Sequence, residues 1–138
     1  MKQYYAVIDT NVIVSSFLHH DSVPGQVVDH VVSGRIIPLI NQDILEEYSE
    51  VLRRNKFGIP EEVVSKFLAL WSETGIFLDR EKTLEDFIDQ DDVVFFEVAL
   101  SGRSTMDAYL VTGNLKHYPI RNYVVTPLQM LEIIEREG

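Results

Sequence analysis

The sequence predicts an α/β fold, a three-layer α/β/α sandwich around a central, mostly parallel sheet. Short apolar stretches typical of buried strands alternate with helical stretches, a pattern that favours right-handed crossovers between parallel strands. Of the residues, 46% are hydrophobic, enough for a substantial core. The length of 138 residues suits one domain, so we expect residues 1–138 to form a single domain.

The first part of the chain alternates between strand and helix. Residues 4–8 form an apolar and aromatic run that predicts a buried strand, and residues 11–18 predict the helix that follows it. A second helix is expected at about residues 24–33, because proline suits its first turn and Gly34 suits its end. Residues 36–40 predict the second strand.

The middle of the chain predicts two helices and a short strand. The first helix covers residues 43–54, with Asn41 or Asp43 available as its cap. The second covers residues 60–74 and is followed by a glycine that suits its end. Residues 76–78 predict the third strand.

The last part of the chain continues the alternation. An acidic loop precedes a helix at residues 92–100, which we expect to end at Ser101 and Gly102. Residues 108–112 predict the fourth strand. Thr126 and Gln129 have the spacing of a capping box, with Pro127 at the first helical position, so a final helix begins there.

Composition excludes several classes of function. With 12 basic and 22 acidic residues the formal net charge is −10, which argues against broad electrostatic attraction to nucleic acids or anionic membranes. An acidic cluster that binds divalent cations would reverse this effect locally. The chain has no cysteine, so disulfides, thiolate zinc sites and cysteine nucleophiles are excluded, and a reducing cytoplasm is the expected location. We expect neither export nor a membrane span, since no signal-peptide pattern or long apolar run is present.

Polar side chains follow two of the predicted strands. Asp9 comes after the first strand, and Thr112, Gly113 and Asn114 come at the end of the fourth. In parallel sheets ligands bind beyond the carboxyl ends of the strands, so these groups can meet there. A helix cap at Asp9 and a turn cap at Asn114 explain the same residues equally well.

The helix at residues 43–54 carries three glutamates. Its apolar residues define one face, and at about 100° per residue Glu46 and Glu50 fall nearly opposite that face. Glu47 lies along its border and can therefore point into a cleft. A solvated helix edge is an equally good explanation of Glu47.

The acidic run at residues 89–92 precedes the apolar helix. One carboxylate is enough to cap that helix, and Asp92, attached directly to it, is the better candidate for an ordered metal ligand. Asp107 is rejected as a ligand, because it begins the strand that ends at Thr112 and roughly 3.3 Å per residue places the two about 16 Å apart. We expect Asp107 to be a surface residue at the strand entry.

Five segments together resemble PIN-domain proteins, in particular the VapC-like branch of toxin components of toxin–antitoxin pairs. The segments are VIDTNVIVSSF, ILEEYSEVLRRNKF, DQDDVVFFEVAL, AYLVTGNLKHYP and VVTPLQMLEII. The resemblance spans nearly the whole chain and implies a PIN-like fold and a ribonuclease that uses Mg²⁺ or Mn²⁺. It also implies an RNA substrate, a cognate antitoxin protein and a homodimer.

The resemblance assigns site residues by matching position. The matching acids are Asp9, Glu47 and Asp92, and Asn114 stands where many relatives have a fourth acid. Asparagine offers a carbonyl oxygen without negative charge, so a second metal site is expected to be weak. The polar positions that match supporting residues are Asn11, Ser15 and Thr112.

The expected mechanism is metal-assisted hydrolysis of RNA. Asp9, Glu47 and Asp92 would hold one Mg²⁺ or Mn²⁺ partly through waters, and the ion would orient a water and bind the scissile phosphate. The four histidines show no ligand spacing, so we expect surface or structural roles for His19, His20, His30 and His117.

Positive charge for binding the RNA backbone is scarce. Arg53, Arg54 and Lys56 form the only compact basic cluster, at the end of the helix that carries Glu47. Basic residues that complement a helix C-terminus explain this cluster equally well. Lys116 and His117 form a second, weaker candidate.

Two alternative functions remain open. An aspartyl phosphotransferase or phosphatase would use Asp9 as its nucleophile, although Asn11 occupies the second place of the usual Asp-x-Asp pair. A non-catalytic PIN-fold domain that binds a protein partner is the other, and Asn114 favours it.

Overall fold

The computed structural model describes residues 2–137 and confirms the predicted three-layer α/β/α sandwich. Five parallel strands form its central sheet. The strands are β1 (Tyr4–Ile8), β2 (Ile36–Ile40), β3 (Ile76–Phe77), β4 (Ala108–Val111) and β5 (Val124–Val125). The helices are α1 (Thr10–Leu18), α2 (Val23–Val32), α3 (Gln42–Leu52), α4 (Glu61–Thr74), α5 (Val93–Arg103) and α6 (Pro127–Glu137). Short 3-10 helices cover Asn55–Phe57, Gln90–Asp92 and Leu115–His117.

The order of the strands creates a crevice at one edge of the sheet. The order is β3-β2-β1-β4-β5, so the chain first moves outward from β1 to β3 and then crosses to the other side of β1. Right-handed crossovers place the helices between β1 and β3 on one face and α5 on the other. The switch point lies between β1 and β4, where Ile8 pairs with Val111, so Asp9 and Thr112 emerge side by side.

The core lies between the sheet and its helices. Helix α5 packs across β1, β2 and β4, which explains why its sequence is apolar on nearly all sides. An aromatic group lies under α3, where the Phe67 ring contacts Tyr48 at 5.7 Å and Trp71 at 4.2 Å between centroids. The Tyr48 hydroxyl donates a hydrogen bond to the Ile8 carbonyl at 2.5 Å, which ties α3 to the end of β1.

Two predicted helix ends were wrong. Helix α3 ends at Leu52 rather than at residue 54, because the chain turns there into the 3-10 helix at Asn55–Phe57. Helix α5 continues through Gly102 to Arg103. A Cβ atom on Gly102 would lie 2.9 Å from the Ala108 Cβ, so this glycine permits close packing instead of stopping the helix.

Strand β5 was not predicted, and the structure decides which residue caps α3. Strand β5 has only two residues, too few for a periodic pattern, and it pairs with β4 through bonds such as Thr112 N–H to the Val125 carbonyl at 2.9 Å. Of the two proposed caps for α3, Asn41 is the one used, since its Oδ1 accepts a hydrogen bond from Ile44 N–H at 2.8 Å.

Residues 78–89 connect β3 to the Gln90–Asp92 turn without regular secondary structure. This segment is fastened to α5 at Glu97, whose carboxylate is 6% exposed. Arg80 donates to Glu97 Oε1 from Nε at 2.8 Å and from Nη2 at 2.7 Å, and Thr83 N–H donates to Oε2 at 2.8 Å. The segment therefore has a fixed path despite lacking helix or strand.

Within residues 2–137, no helix is both long enough and apolar enough to cross a bilayer.

Candidate active site

Asp9 is buried at the carboxyl end of β1, with 5% of its surface exposed. It occupies the N-cap position of α1, but its side chain makes no capping hydrogen bond. Its Oδ2 instead accepts hydrogen bonds from Thr112 Oγ1 at 2.8 Å, from the Tyr118 hydroxyl at 3.0 Å and from Asn11 Nδ2 at 3.2 Å. The helix-cap explanation of this acid therefore does not hold.

The turns after β1 and β4 are joined by side chains. Asn11 Oδ1 accepts from Gly113 N–H at 3.0 Å, while Thr112 Oγ1 accepts from Asn114 N–H at 3.0 Å. A Cβ atom on Gly113 would lie 3.2 Å from Asn11 Oδ1, so a larger residue would press on this bond. Asn11 and Thr112 thus hold the Asp9 carboxylate and the Asn114 turn in one fixed arrangement.

The polar groups border a cavity of about 450 Å³ at this edge of the sheet. The predicted site residues that line it are Asp9, Asn11, Ser15, Glu47, Arg54, Asp92 and Asn114. Glu47 reaches it because Ile44, Tyr48 and Leu52 turn the other face of α3 into the core, as the helix pattern predicts. Glu46 and Glu50 are exposed.

Asp89 and Asp91 also line this cavity, so five carboxylates surround it. The Asp89 carboxylate accepts from Asp91 N–H at 2.9 Å and thereby caps the 3-10 turn before α5. Asp92 stands at the N-cap position of α5 and makes no capping hydrogen bond. The sequence predicted that one acid of residues 89–92 caps the following helix and that another is available for a different role, and this geometry agrees with that prediction.

The pKa values of three carboxylates in the cavity are raised, because their surroundings disfavour negative charge. Burial, together with the charge of Asp9, raises the pKa of Asp92 to about 6. Burial also raises the pKa of Asp9, against the opposing effect of the donors Thr112 and Tyr118. Burial again raises the pKa of Glu47, with a further contribution from the charge of Asp91. All three pKa values shift in the direction that a bound cation would reverse.

Two neighbouring residues after the Asn114 turn contact the acids of the site in a way that the sequence did not indicate. His117 was expected to be structural or on the surface, or at most a weaker candidate for contact with the RNA backbone, yet it lines the cavity and its Nδ1 lies 3.1 Å from Asp92 Oδ2. Tyr118 is buried, and burial raises the pKa of its hydroxyl, so it stays protonated and donates to Asp9. Their order after the Thr112–Asn114 turn was visible in the sequence, but no periodicity indicated where they point.

Only one of the three residues of the basic cluster lines the cavity. Arg54 lines the cavity and pairs with Glu50, with 2.8 Å between Nη2 and Oε2. Arg53 does not line the cavity, because it forms a two-pronged pair with Glu61 at 2.7 and 2.8 Å. Lys56 does not line the cavity either, and its ammonium lies 5.1 Å from the centroid of the Phe57 ring.

Asp107, which the sequence excluded from the site, lies at the opposite end of β4. It is exposed and borders a separate cavity at the amino edge of the sheet. It therefore provides an acid of the same type outside the site.

The chemistry of the cavity fits a hard divalent cation. Within residues 2–137, no group of three or more acidic, histidine or cysteine side chains is disposed to hold one metal ion directly. Five carboxylates nevertheless share one cavity, and in the described chain Asp9 and Glu47 take part in no ion pair. Carboxylate oxygens are the ligands that a hard cation such as Mg²⁺ prefers, and Mg²⁺ usually keeps several of its waters when bound.

Comparisons with known proteins agree with the fold. A family model described as PIN domain matches residues 5–116, which include every site residue named above except His117 and Tyr118. The chain is also similar to an uncharacterized protein of Methanocaldococcus jannaschii, MJ1680. The two are 26% identical over 147 residues, which cover 94% of this chain and 91% of that protein.

Proposed function

The chain belongs to the PIN domain family, and from this premise we propose that it is a metal-dependent endoribonuclease that hydrolyses RNA with Mg²⁺ or Mn²⁺. Membership of this family supports a nuclease-type function. The observation that carries the proposal is the convergence of Asp9, Glu47 and Asp92 on one cavity without cationic partners for Asp9 and Glu47. Three carboxylates from separate elements have no structural need to meet there.

Each residue has a defined part in this proposal. Asp9, Glu47 and Asp92 would hold the cation, with Asn114 adding a neutral oxygen. When bound, such an ion activates a water and stabilises the charge that develops on the phosphate. Thr112 and Tyr118 keep the Asp9 carboxylate oriented by donating hydrogen bonds to Oδ2.

The test is cleavage of RNA in the presence of Mn²⁺ or Mg²⁺. We expect Asp9→Asn, Glu47→Gln and Asp92→Asn each to lower the rate by about a hundredfold or more, because each removes a charge that would hold the ion. Asp107→Asn is the matched control, since it changes the same kind of residue at the opposite edge of the sheet. Equal activity in all of these proteins would reject the site.

The same proteins separate the alternative functions. A phosphoaspartate trapped on Asp9, without RNA cleavage, would favour a phosphotransferase or phosphatase. Wild-type protein that binds no Mn²⁺ by calorimetry and cleaves no RNA would favour a non-catalytic domain that binds a protein partner.

We further propose that the protein is the toxin of a toxin–antitoxin pair, acting as a homodimer and inhibited by a cognate antitoxin. The five segments that resemble VapC-like proteins support this role. Expression of the wild-type chain should arrest growth of a bacterial host, whereas Asp9→Asn should not. The product of a neighbouring small reading frame should restore growth and copurify with the chain; arrest by both proteins would contradict the toxin role.

A further inference from the structure

Phe57 occupies a position in the cavity wall that core packing does not explain. The chain has 7 phenylalanines. Those that belong to the hydrophobic core or pack against it are Phe17, Phe67, Phe87, Phe95 and Phe96. Phe57 and Phe77 do neither, and only Phe57 lines the acidic cavity.

The backbone holds Phe57 in place by a short turn. Phe57 N–H donates to the Arg54 carbonyl and Gly58 N–H donates to the Asn55 carbonyl, both at 3.1 Å. Gly58 ends the turn with a φ of 63°, a left-handed conformation that favours glycine. The turn therefore fixes the backbone of Phe57 at the cavity.

Positive charge is concentrated around this ring. The Lys56 ammonium lies 5.1 Å from the ring centroid, and Lys56 forms no ion pair with residues 2–137. The Arg54 guanidinium also lines the cavity, where it pairs with Glu50 and feels the charges of Glu47 and Asp91. A partly exposed aromatic ring next to unpaired positive charge has the features of a surface that stacks a nucleobase and contacts its phosphate.

We propose that Phe57 is a base-stacking residue that holds an unpaired nucleobase beside the scissile phosphate, with Lys56 contacting the adjoining backbone phosphate. The proposal rests on the proposed ribonuclease function and adds a substrate-positioning residue that lines the same cavity as the proposed metal ligands. It requires the RNA to be unpaired at this position, because both faces of a base inside a duplex are already covered by the neighbouring bases.

The test measures binding of a fluorescently labelled single-stranded RNA by anisotropy. The parent protein is Asp9→Asn in Mg²⁺, so that cleavage does not interfere. Adding Phe57→Leu, which keeps an apolar side chain of similar bulk, should weaken binding about tenfold, and Phe57→Trp should preserve it. Phe77→Leu is the matched control, since Phe77 is 54% exposed and lies on the edge strand β3.

Two further measurements separate stacking from charge. Lys56→Ala should reduce the slope of log affinity against log salt by about 0.7, the value for one phosphate contact to a single strand, and Phe57→Leu should leave the slope unchanged. A series of RNAs, each lacking the base at one position, locates the stacked base. At one position, loss of the base should weaken binding to the parent as much as Phe57→Leu weakens binding of the intact RNA.

The outcomes distinguish this inference from the proposed function. The stacking role is rejected if the Phe57→Leu protein binds RNA as tightly as its parent. The ribonuclease function still stands in that case if the wild-type protein cleaves RNA and Asp9→Asn does not. If the parent binds no RNA and the wild type cleaves none, both are rejected. Thermal unfolding of Phe57→Leu should match that of the parent, because the ring is not part of the core.

Discussion

Asp9 and Glu97 are two carboxylates of nearly equal burial, 5% and 6% exposed, in opposite electrostatic situations. Glu97 accepts two hydrogen bonds from the Arg80 guanidinium, so its charge is balanced by a cation. Asp9 accepts only from neutral donors, two hydroxyls and an amide. The charge of Glu97 is thus balanced within the chain, whereas Asp9 lies beside a cavity and has no cationic partner among residues 2–137.

The two acids also do different things for the fold. Glu97 fastens the irregular segment 78–89 to α5, and Arg80 extends the contact to Asp43 Oδ2 at 3.2 Å. Asp9 joins β1 to β4 through its donors but carries a charge that burial disfavours. Loss of charge at the two places should therefore have opposite effects on the stability of the metal-free protein.

The largest expected effect is that of Glu97→Ala. This change leaves Arg80 and Thr83 N–H without their acceptors and should lower the free energy of unfolding by about 3 kcal/mol. Urea unfolding followed by circular dichroism measures it. Glu132→Ala, at an exposed position of α6, is the control and should change stability by less than about 0.5 kcal/mol. A small effect at Glu97 would show that the segment 78–89 does not depend on it.

The next effect is stabilisation by the metal. At a Mn²⁺ concentration of about 100 times its dissociation constant, the wild-type protein should gain about 2.7 kcal/mol against unfolding, which is lost again on chelation. Asp9→Asn should gain far less, because the charge that would bind the ion is gone. Thermal unfolding with and without Mn²⁺ measures both, and equal gains in the two proteins would place the ion elsewhere.

A smaller effect is expected from Asp92→Asn in the metal-free protein. The folded pKa of Asp92 is about 6, above the ordinary aspartate value of 3.8, so the native state keeps a proton that the unfolded state loses. The contribution of this group to stability is therefore present below about pH 4 and is lost as the pH rises to about 6. Asp92→Asn should be more stable than wild type by about 1 to 2 kcal/mol at pH 8, with no difference at pH 3.5. A constant difference at all pH values would contradict the assignment.

The sequence predicted the surroundings of Asp9 better than those of Glu97. The strands at Tyr4–Ile8 and Ile36–Ile40 were predicted to the residue, because each is an apolar run with polar residues at its end. Asp9 and Asn114 follow strand ends, so the topology of a parallel sheet was enough to bring them together. Glu97 is a single acid in an apolar helix and its partner lies 17 residues away in a segment with no periodicity. No local pattern could have paired them.

The same limit applies to the donors around Asp9. Tyr118 reaches this carboxylate because the chain returns to the sheet through β5, and a strand of two residues leaves no signal in the sequence. His117 reaches Asp92 by the same route. The acids of the site could be predicted from strand and helix ends, whereas the residues that orient them depend on the path of an irregular turn.

The smallest expected effect tests the neutral donors themselves. Tyr118→Phe removes the hydroxyl that donates to Asp9 Oδ2 at 3.0 Å and should raise the pKa of Asp9 further, since a hydrogen bond to the charged form is lost. The free energy of unfolding at pH 8 should fall by about 1 kcal/mol, and by less at pH 4, where Asp9 is nearer to neutral. Metal-dependent cleavage should fall about tenfold, because the carboxylate is less firmly oriented.

Tyr123→Phe is the matched control, since its hydroxyl makes no hydrogen bond to residues 2–137, and both quantities should stay within error of wild type. If the two variants behave alike, neutral donors do not hold Asp9 in place, and the contrast with the arginine at Glu97 loses its functional meaning.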